Sequence, residues 1–133
     1  MAHSDILKVA IARCKADASI AGVVGTKVYS NVPKDSISPP YLVVSWSDVV
    51  GLDDKSDDFV SGTLTIDYWD ESQSDKGAID MMNFLTDEFH KQPLTLTLGS
   101  TNLLITRQGY NVFLESDGVS HHGVITFNLL IED

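Results

Sequence analysis

The apolar positions change period along the chain, and each period predicts an element. Ile6, Leu7, Ala10, Ile11 and Cys14 recur at three- and four-residue spacing, one stripe of an amphipathic helix, with Lys8, Arg13 and Lys15 mainly off it. Ser4 is placed to cap that helix, and Asp5 in its first turn meets the positive end of the helix dipole. A second short turn around residues 18–23 follows. Gly22 and Gly25 end the helical character, and extended chain begins at residues 27–30. Over residues 31–40 three prolines and no periodicity predict a loop, and Pro39-Pro40 disfavours helix.

Period two takes over at residues 41–47. Leu42, Val44 and Trp46 fall on one face and Tyr41, Val43 and Ser45 on the other; both faces are rather apolar, which places this strand inside a sheet. Residues 48–58 read as a hairpin-like connection containing Gly51 and the self-repelling run Asp53-Asp54-Lys55-Ser56-Asp57-Asp58. A clear strand spans residues 59–69, where Leu64, Ile66 and Tyr68 alternate with Thr63, Thr65 and Asp67. Ser74 then caps a long helix with Asp75 beside it; Ala78, Met81, Met82, Leu85 and Phe89 form its apolar stripe, and Pro93 stops it. Strict alternation over residues 94–98 predicts a strand, residues 99–102 a turn, and residues 103–107 the returning strand. A last strand covers residues 123–131, with Ile125, Phe127, Leu129 and Ile131 on one face. The expected fold is α+β: an antiparallel or mixed sheet with an N-terminal helix and one long helix packed on it, in one domain over residues 1–133.

Composition narrows the class. A chain of 133 residues that is 43% hydrophobic can bury a core without disulfides or metals. Its only cysteine, Cys14, excludes an internal disulfide, suits a reducing compartment and lies on the first helix's apolar stripe, as a packing residue does. The N-terminus lacks a basic leader, and no apolar run reaches the roughly 20 residues that span a bilayer, so a soluble intracellular protein without membrane contact is expected.

Charge is uneven as well as acidic. Nineteen acidic residues against nine basic ones give a formal −10, which repels a phosphate backbone and makes specific nucleic-acid binding improbable. Residues 1–34 carry five basic and two acidic side chains, a net +3, whereas residues 48–75 carry one basic and nine acidic, a net −8. If those regions lie on opposite sides of the fold, copies can pair head to tail, the contact from which rings are built. Lys8, Arg13 and Lys15 are the candidate basic contact residues.

Candidate chemistry is thin. No G-x-S-x-G elbow, Gly-rich phosphate loop or dinucleotide fingerprint occurs. Asp54, Ser56 and Asp58 alternate as calcium ligands do, but an EF-hand would need Gly where Phe59 stands and a bidentate Glu beyond. His121 and His122 are adjacent in extended chain and point to opposite faces, so they cannot chelate together. His90 near the helix end and Asp67, a single carboxylate without a visible partner, read as structural or surface residues. No catalytic residue, cofactor or metal is expected.

The order of the marked segments carries more. The N-terminal helix, Val24-Gly25 to Tyr29, Pro40-Tyr41-Leu42-Val43-Val44, Leu64-Thr65-Ile66-Asp67-Tyr68-Trp69, the helix bearing Ala78, and Asp117-Gly118 before Gly123-Val124-Ile125-Thr126-Phe127 resemble the tail-completion, or tail-terminator, proteins of long-tailed bacteriophages. The resemblance implies a non-enzymatic virion protein, assembled in the host cytoplasm, that forms a six-fold ring of itself on the head-proximal end of the tail tube. The ring would stop tube growth and offer the surface to which the head attaches. Its partners would be the tail tube protein and a head-tail connector protein, with DNA passing through unbound. Asp53, Asp54, Asp57 and Asp58 are then candidates for an acidic lumen that like charge keeps from sticking to DNA, or for a face toward tube or connector. Residues 31–39 and 111–120 are further candidates for subunit contacts. Two other readings compete: a head-tail adaptor, and an acidic DNA-mimic inhibitor. The mimic would spread its carboxylates along one helix or sheet face, whereas here they cluster in one loop.

Overall fold

The structure is a computed structural model that describes residues 4–30, 37–48, 59–97 and 99–132. In chain order the elements are α1 (Ser4–Ala16), α2 (Ala18–Val24), β1 (Val28–Tyr29), β2 (Tyr41–Asp48), β3 (Phe59–Asp70), α3 (Lys76–Phe89), β4 (Thr101–Leu114) and β5 (His121–Glu132). The strands make one mixed sheet in the order β1-β2-β3-β5-β4, with β1 parallel to β2 and every other pair antiparallel. This is the expected α+β class, with β2 inside the sheet as its two apolar faces require.

All three helices lie on one side. Leu42 and Val44 of β2, Leu64, Ile66 and Tyr68 of β3, Ile105 of β4 and the odd-numbered residues of β5 from Ile125 to Ile131 bury against Ile6, Ala10 and Cys14, Ile20 and Val24, and the α3 stripe. A helix of α3's length is marginal in water, but Met81, Met82, Leu85 and Phe89 are fully buried and contribute about 1.5–3 kcal/mol each, which outweighs any weakness of local propensity. Burial also pushes the Cys14 thiol up to about 12, so it packs as a small apolar side chain and forms no thiolate nucleophile near neutral pH.

The helix ends show how the layer is tied together. Asp17 caps α2 by accepting from the Ile20 N–H at 3.0 Å, and Gly25 at φ 63° releases the chain from it. For α3 the cap position is Asp75, one residue after Ser74, although the Ser74 hydroxyl accepts from the Lys76 N–H at 3.3 Å. At the other end of α3, Arg13 donates to the carbonyls of Glu88 (3.2 Å), Gln92 (2.6 Å) and Pro93 (2.9 Å), with its guanidinium 5.4 Å from the Phe89 ring centroid. These are the carbonyls that a helix terminus and its exit leave without intrahelical partners, so Arg13 joins α1 to the negative end of α3.

Glu88 faces Asp17 beside that arginine. Burial and the neighbouring Asp17 carboxyl raise the Glu88 pKa, with Arg13 opposing. A carboxyl raised in the folded state favours folding below the ordinary carboxylate range and loses that contribution as pH climbs through its native pKa. Glu88→Gln is therefore expected to match the parent's thermal midpoint near about pH 4 and exceed it at about pH 7, read by circular dichroism melts at both values.

Two sequence expectations are corrected. Residues 94–97 are not a strand and form no ladder with β4, whose outer edge stays open. Leu94 packs into the core, Leu96 lies partly against it, and their segment's N–H groups go to side chains: Leu94 to Asn102 Oδ1 at 2.8 Å and Thr97 to the buried Asp5 carboxylate. The alternation thus records packing under the helical layer. Of the predicted turn only residues 99 and 100 lie outside a strand; residues 101–102 and the short return strand belong to one long strand, β4, which accommodates two irregularities of register, between Asn102 and Leu104 and between Arg107 and Gly109.

Candidate assembly surfaces

The basic stripe is the simplest surface to place. Lys8, Ala12 and Lys15 are exposed along the outer side of α1, and neither lysine makes an ion pair with a described residue. Arg13, grouped with them on sequence, turns inward to the α3 carbonyls described above. The acidic run Asp53, Asp54, Asp57 and Asp58 lies outside the described residues, as do the calcium-like positions 54, 56 and 58 and residues 31–36 of the proline-containing loop. Of that loop, the Ser38 carbonyl accepts from Lys27 Nζ at 2.8 Å.

The side of the sheet away from the helices is covered by no described element. Its residues fall in cross-strand rows: Ser47-Thr63-Asn128-Thr106, then Ser45-Thr65-Thr126-Gly109, then Val43-Asp67-Val124-Asn111, then Tyr41-Trp69-His122-Phe113. The last row is aromatic from edge to edge. Tyr41 stacks on Trp69 with centroids 5.2 Å apart, Trp69 on His122 at 4.3 Å, and Phe113 lies tilted against His122 at 4.8 Å. Tyr29 extends it edge-on to Tyr41 at 6.4 Å, so all five strands contribute a ring.

His122 is held at both nitrogens. Nδ1 is 2.6 Å from Glu115 Oε1 and Nε2 is 3.1 Å from Asp67 Oδ1, so the ring's orientation is determined by two carboxylates. Asp67, read from sequence as lacking a partner, therefore has one; its partner is 55 residues away and no local pattern could reveal it. His121 points to the helical side, with Nδ1 buried, without a hydrogen bond and 3.9 Å from Asp70 Oδ1. Asp70 itself accepts from the Tyr68 hydroxyl at 2.9 Å and from the Ser72 N–H and hydroxyl, and burial followed by that bond raises the Tyr68 pKa. His121 borders a shallow groove of about 340 Å³ between Glu71, Ser72 and Gln73 on one side and Leu114, Gly118 and Val119 on the other. His90 Nδ1 accepts from the Arg107 N–H at 2.9 Å, a structural role.

The β4 edge is the third surface. Leu103, Leu104, Tyr110, Phe113 and Leu114 are exposed on it, Val119 on the adjoining turn, and Arg107 is its only charged residue. That arginine bonds Thr86 Oγ1 at 3.2 Å and lies 5.3 Å from the Tyr110 ring centroid. Exposed edges are normally blunted by charge, so an apolar edge of this length suits a covered position in an assembly. The turn to β5 is held by Asp117, whose carboxylate accepts from the N–H groups of Ser120 and Val119 and from the Ser120 hydroxyl; these bonds lower its pKa. Among the described residues no three His, Cys, Asp or Glu side chains converge so as to hold a metal ion, and no helix is long and apolar enough to cross a membrane.

The profile of the family described as "Tail completion protein gp17" matches residues 9–132. The chain belongs to the tail completion protein family. Like that family, it is a structural phage tail protein and a virion component. Its fold is shared with a chain solved in the "Virion of native gene transfer agent (GTA) particle": the TM-score is 0.85 at 17% identity, covering 99% of this chain and 98% of that one. A second solved chain superposes with a TM-score of 0.65 at 11% identity, over 98% of this chain and 93% of the other. Among curated proteins none matches.

The sequence reading missed the aromatic row and the β4 edge. Tyr41, Trp69, His122 and Phe113 each sit at or near a strand end, and the one available signal was their common parity within strands whose register was unknown.

Proposed function

We propose that this tail completion protein caps the head-proximal end of the tail tube as a ring of copies, six in number, which ends tube growth and forms the surface that joins tail to head. The observation that carries this reading is the family match over residues 9–132. Two surface features support it. The uncovered sheet face and the lysine stripe of α1 are different surfaces of one copy, as a heterologous contact requires. The apolar β4 edge gives a copy a further surface to bury. In this role the tube protein is the partner on one side of the ring, a connector protein the partner on the other, and DNA passes through without specific binding.

The test is to add the purified protein to its cognate tube protein during polymerisation and examine tube lengths and ends by negative-stain electron microscopy. Tubes of arrested length with extra density at one end are expected. Uncapped tubes of unaltered length sink the terminator reading; binding to the isolated connector under the same conditions would then favour an adaptor, and binding to neither but to a nucleic-acid-binding protein an acidic mimic.

A further inference from the structure

We propose that the aromatic end of the open sheet face, formed by Trp69, His122 and Phe113 with the carboxylates of Asp67 and Glu115, is the seat for Lys8 and Lys15 of a neighbouring copy. The proposal rests on the ring reading above and names the contact that closes it. Aromatic faces attract an ammonium group, and a lysine stem lies well along apolar rings while its charged end reaches a carboxylate at their rim. The seat has both parts. Trp69 and Phe113 flank the His122 ring across three neighbouring strands, and the Asp67 and Glu115 side chains remain 23% and 33% exposed beside them.

It is also built before any partner arrives. Glu115 and Asp67 grip opposite nitrogens of His122 and hold its ring within 24° of the Trp69 plane, so little side-chain freedom is left to lose on docking. Charge selects the occupant. Among the described residues of β2, β3, β5 and β4 on the open face the charged groups besides His122 are acidic, and Lys27, just before β1, is engaged with the Ser38 carbonyl. Lys8 and Lys15 are exposed and unpaired among the described residues.

Dimensions agree. Seven residues of helix separate the two lysines by about 10 Å along α1, and two strand spacings separate Trp69 from Phe113 by about the same distance. Within one chain the sheet itself stands between α1 and this seat, so the lysines cannot reach their own carboxylates. The contact must join different surfaces of two copies, and a repeated contact of that kind closes a ring when its rotation permits.

The experiment mixes equal amounts of unlabelled and ¹⁵N-labelled protein, forms caps on the cognate tube, and in parallel concentrates the mixture without tube. Both samples are treated with a water-soluble carbodiimide, which joins a lysine amine to a carboxylate, and the peptides are read by mass spectrometry. Mixed-isotope links from Lys8 or Lys15 to Asp67 or Glu115 are expected, and Lys8→Glu/Lys15→Glu should reduce capping at least tenfold while circular dichroism shows the fold retained. Capping by that variant should return when it is mixed with Asp67→Lys/Glu115→Lys protein. Mixed links from these lysines only to other carboxylates, links from Asp67 or Glu115 to the tube protein, or no mixed links in either sample overturn the proposal. Uncapped tubes beside the expected links in the concentrated sample overturn the terminator reading and leave this contact standing.

Discussion

Gly62→Val should lower the thermal unfolding midpoint by about 10 °C, corresponding to roughly 3 kcal/mol. Gly62 lies on the helix-facing side of β3, opposite Asp48 and diagonal to Trp46, and the Trp46 indole lies directly over it. A Cβ there meets two carbons of that ring and, at 2.8 Å, the Ser47 carbonyl oxygen. A flexible side chain could yield; an indole wedged against the core and a strand backbone cannot do so cheaply. The contrast is Gly123, where a Cβ would stand 2.8 Å from the terminal methyl of Met82. A methionine end can swing aside, so Gly123→Ala should cost only about 1 kcal/mol. Differential scanning calorimetry of both variants checks the ranking. Combining Gly62→Val with Trp46→Leu should recover part of the loss but not all, since the Ser47 carbonyl remains. An unchanged midpoint in Gly62→Val would mean that Trp46 does not occupy this position in solution.

The second large effect is expected at Asn102. Buried at the start of β4, it accepts from the Leu94 N–H at 2.8 Å and donates to the carbonyls of Leu104 at 2.9 Å and Leu130 at 3.1 Å. One amide thus bridges the β4 irregularity, its neighbour β5 and the irregular segment after α3. Asn102→Leu removes all three bonds and leaves a buried N–H without its acceptor, for an expected loss of about 3 kcal/mol. Asn102→Asp is more diagnostic, because it keeps the acceptor for Leu94 and sets a carboxylate against two carbonyl oxygens. Its deficit should be large at neutral pH and shrink on acidification, as the protonated acid again donates one bond. Denaturant titrations at two pH values read this; equal deficits at both would show that the amide donors are not what the site uses.

How much of this was legible depends on how far apart the interacting residues stand. The α1 stripe, the alternation on β3, the α3 stripe and the final strand are local periodicities, and each appears close to where the pattern put it. Asn102 was read as a turn residue because two of its three partners lie 8 and 28 residues away. Arg13 was grouped with Lys8 and Lys15 by charge, yet its guanidinium reaches carbonyls some 75 to 80 residues later. Residues 94–98 alternated as strictly as any strand, yet the Leu94 and Thr97 N–H groups go to the side chains of Asn102 and Asp5 rather than to a neighbouring strand.

By itself the sequence determined the fold class, the burial of Cys14, Met81 and Met82, and the order of segments that the tail completion family shares. These follow from side-chain period and turn chemistry, which act over a few residues. Tertiary structure alone decided which strands are neighbours, and with that which side chains share a row. Tyr41, Trp69, His122 and Phe113 become one surface only through pairings between β2, β3, β5 and β4, since a register shift of one residue would turn each ring to the opposite face. The same pairings bring Asp67 and Glu115 to either side of His122, and they put the sheet between those carboxylates and the lysines of α1.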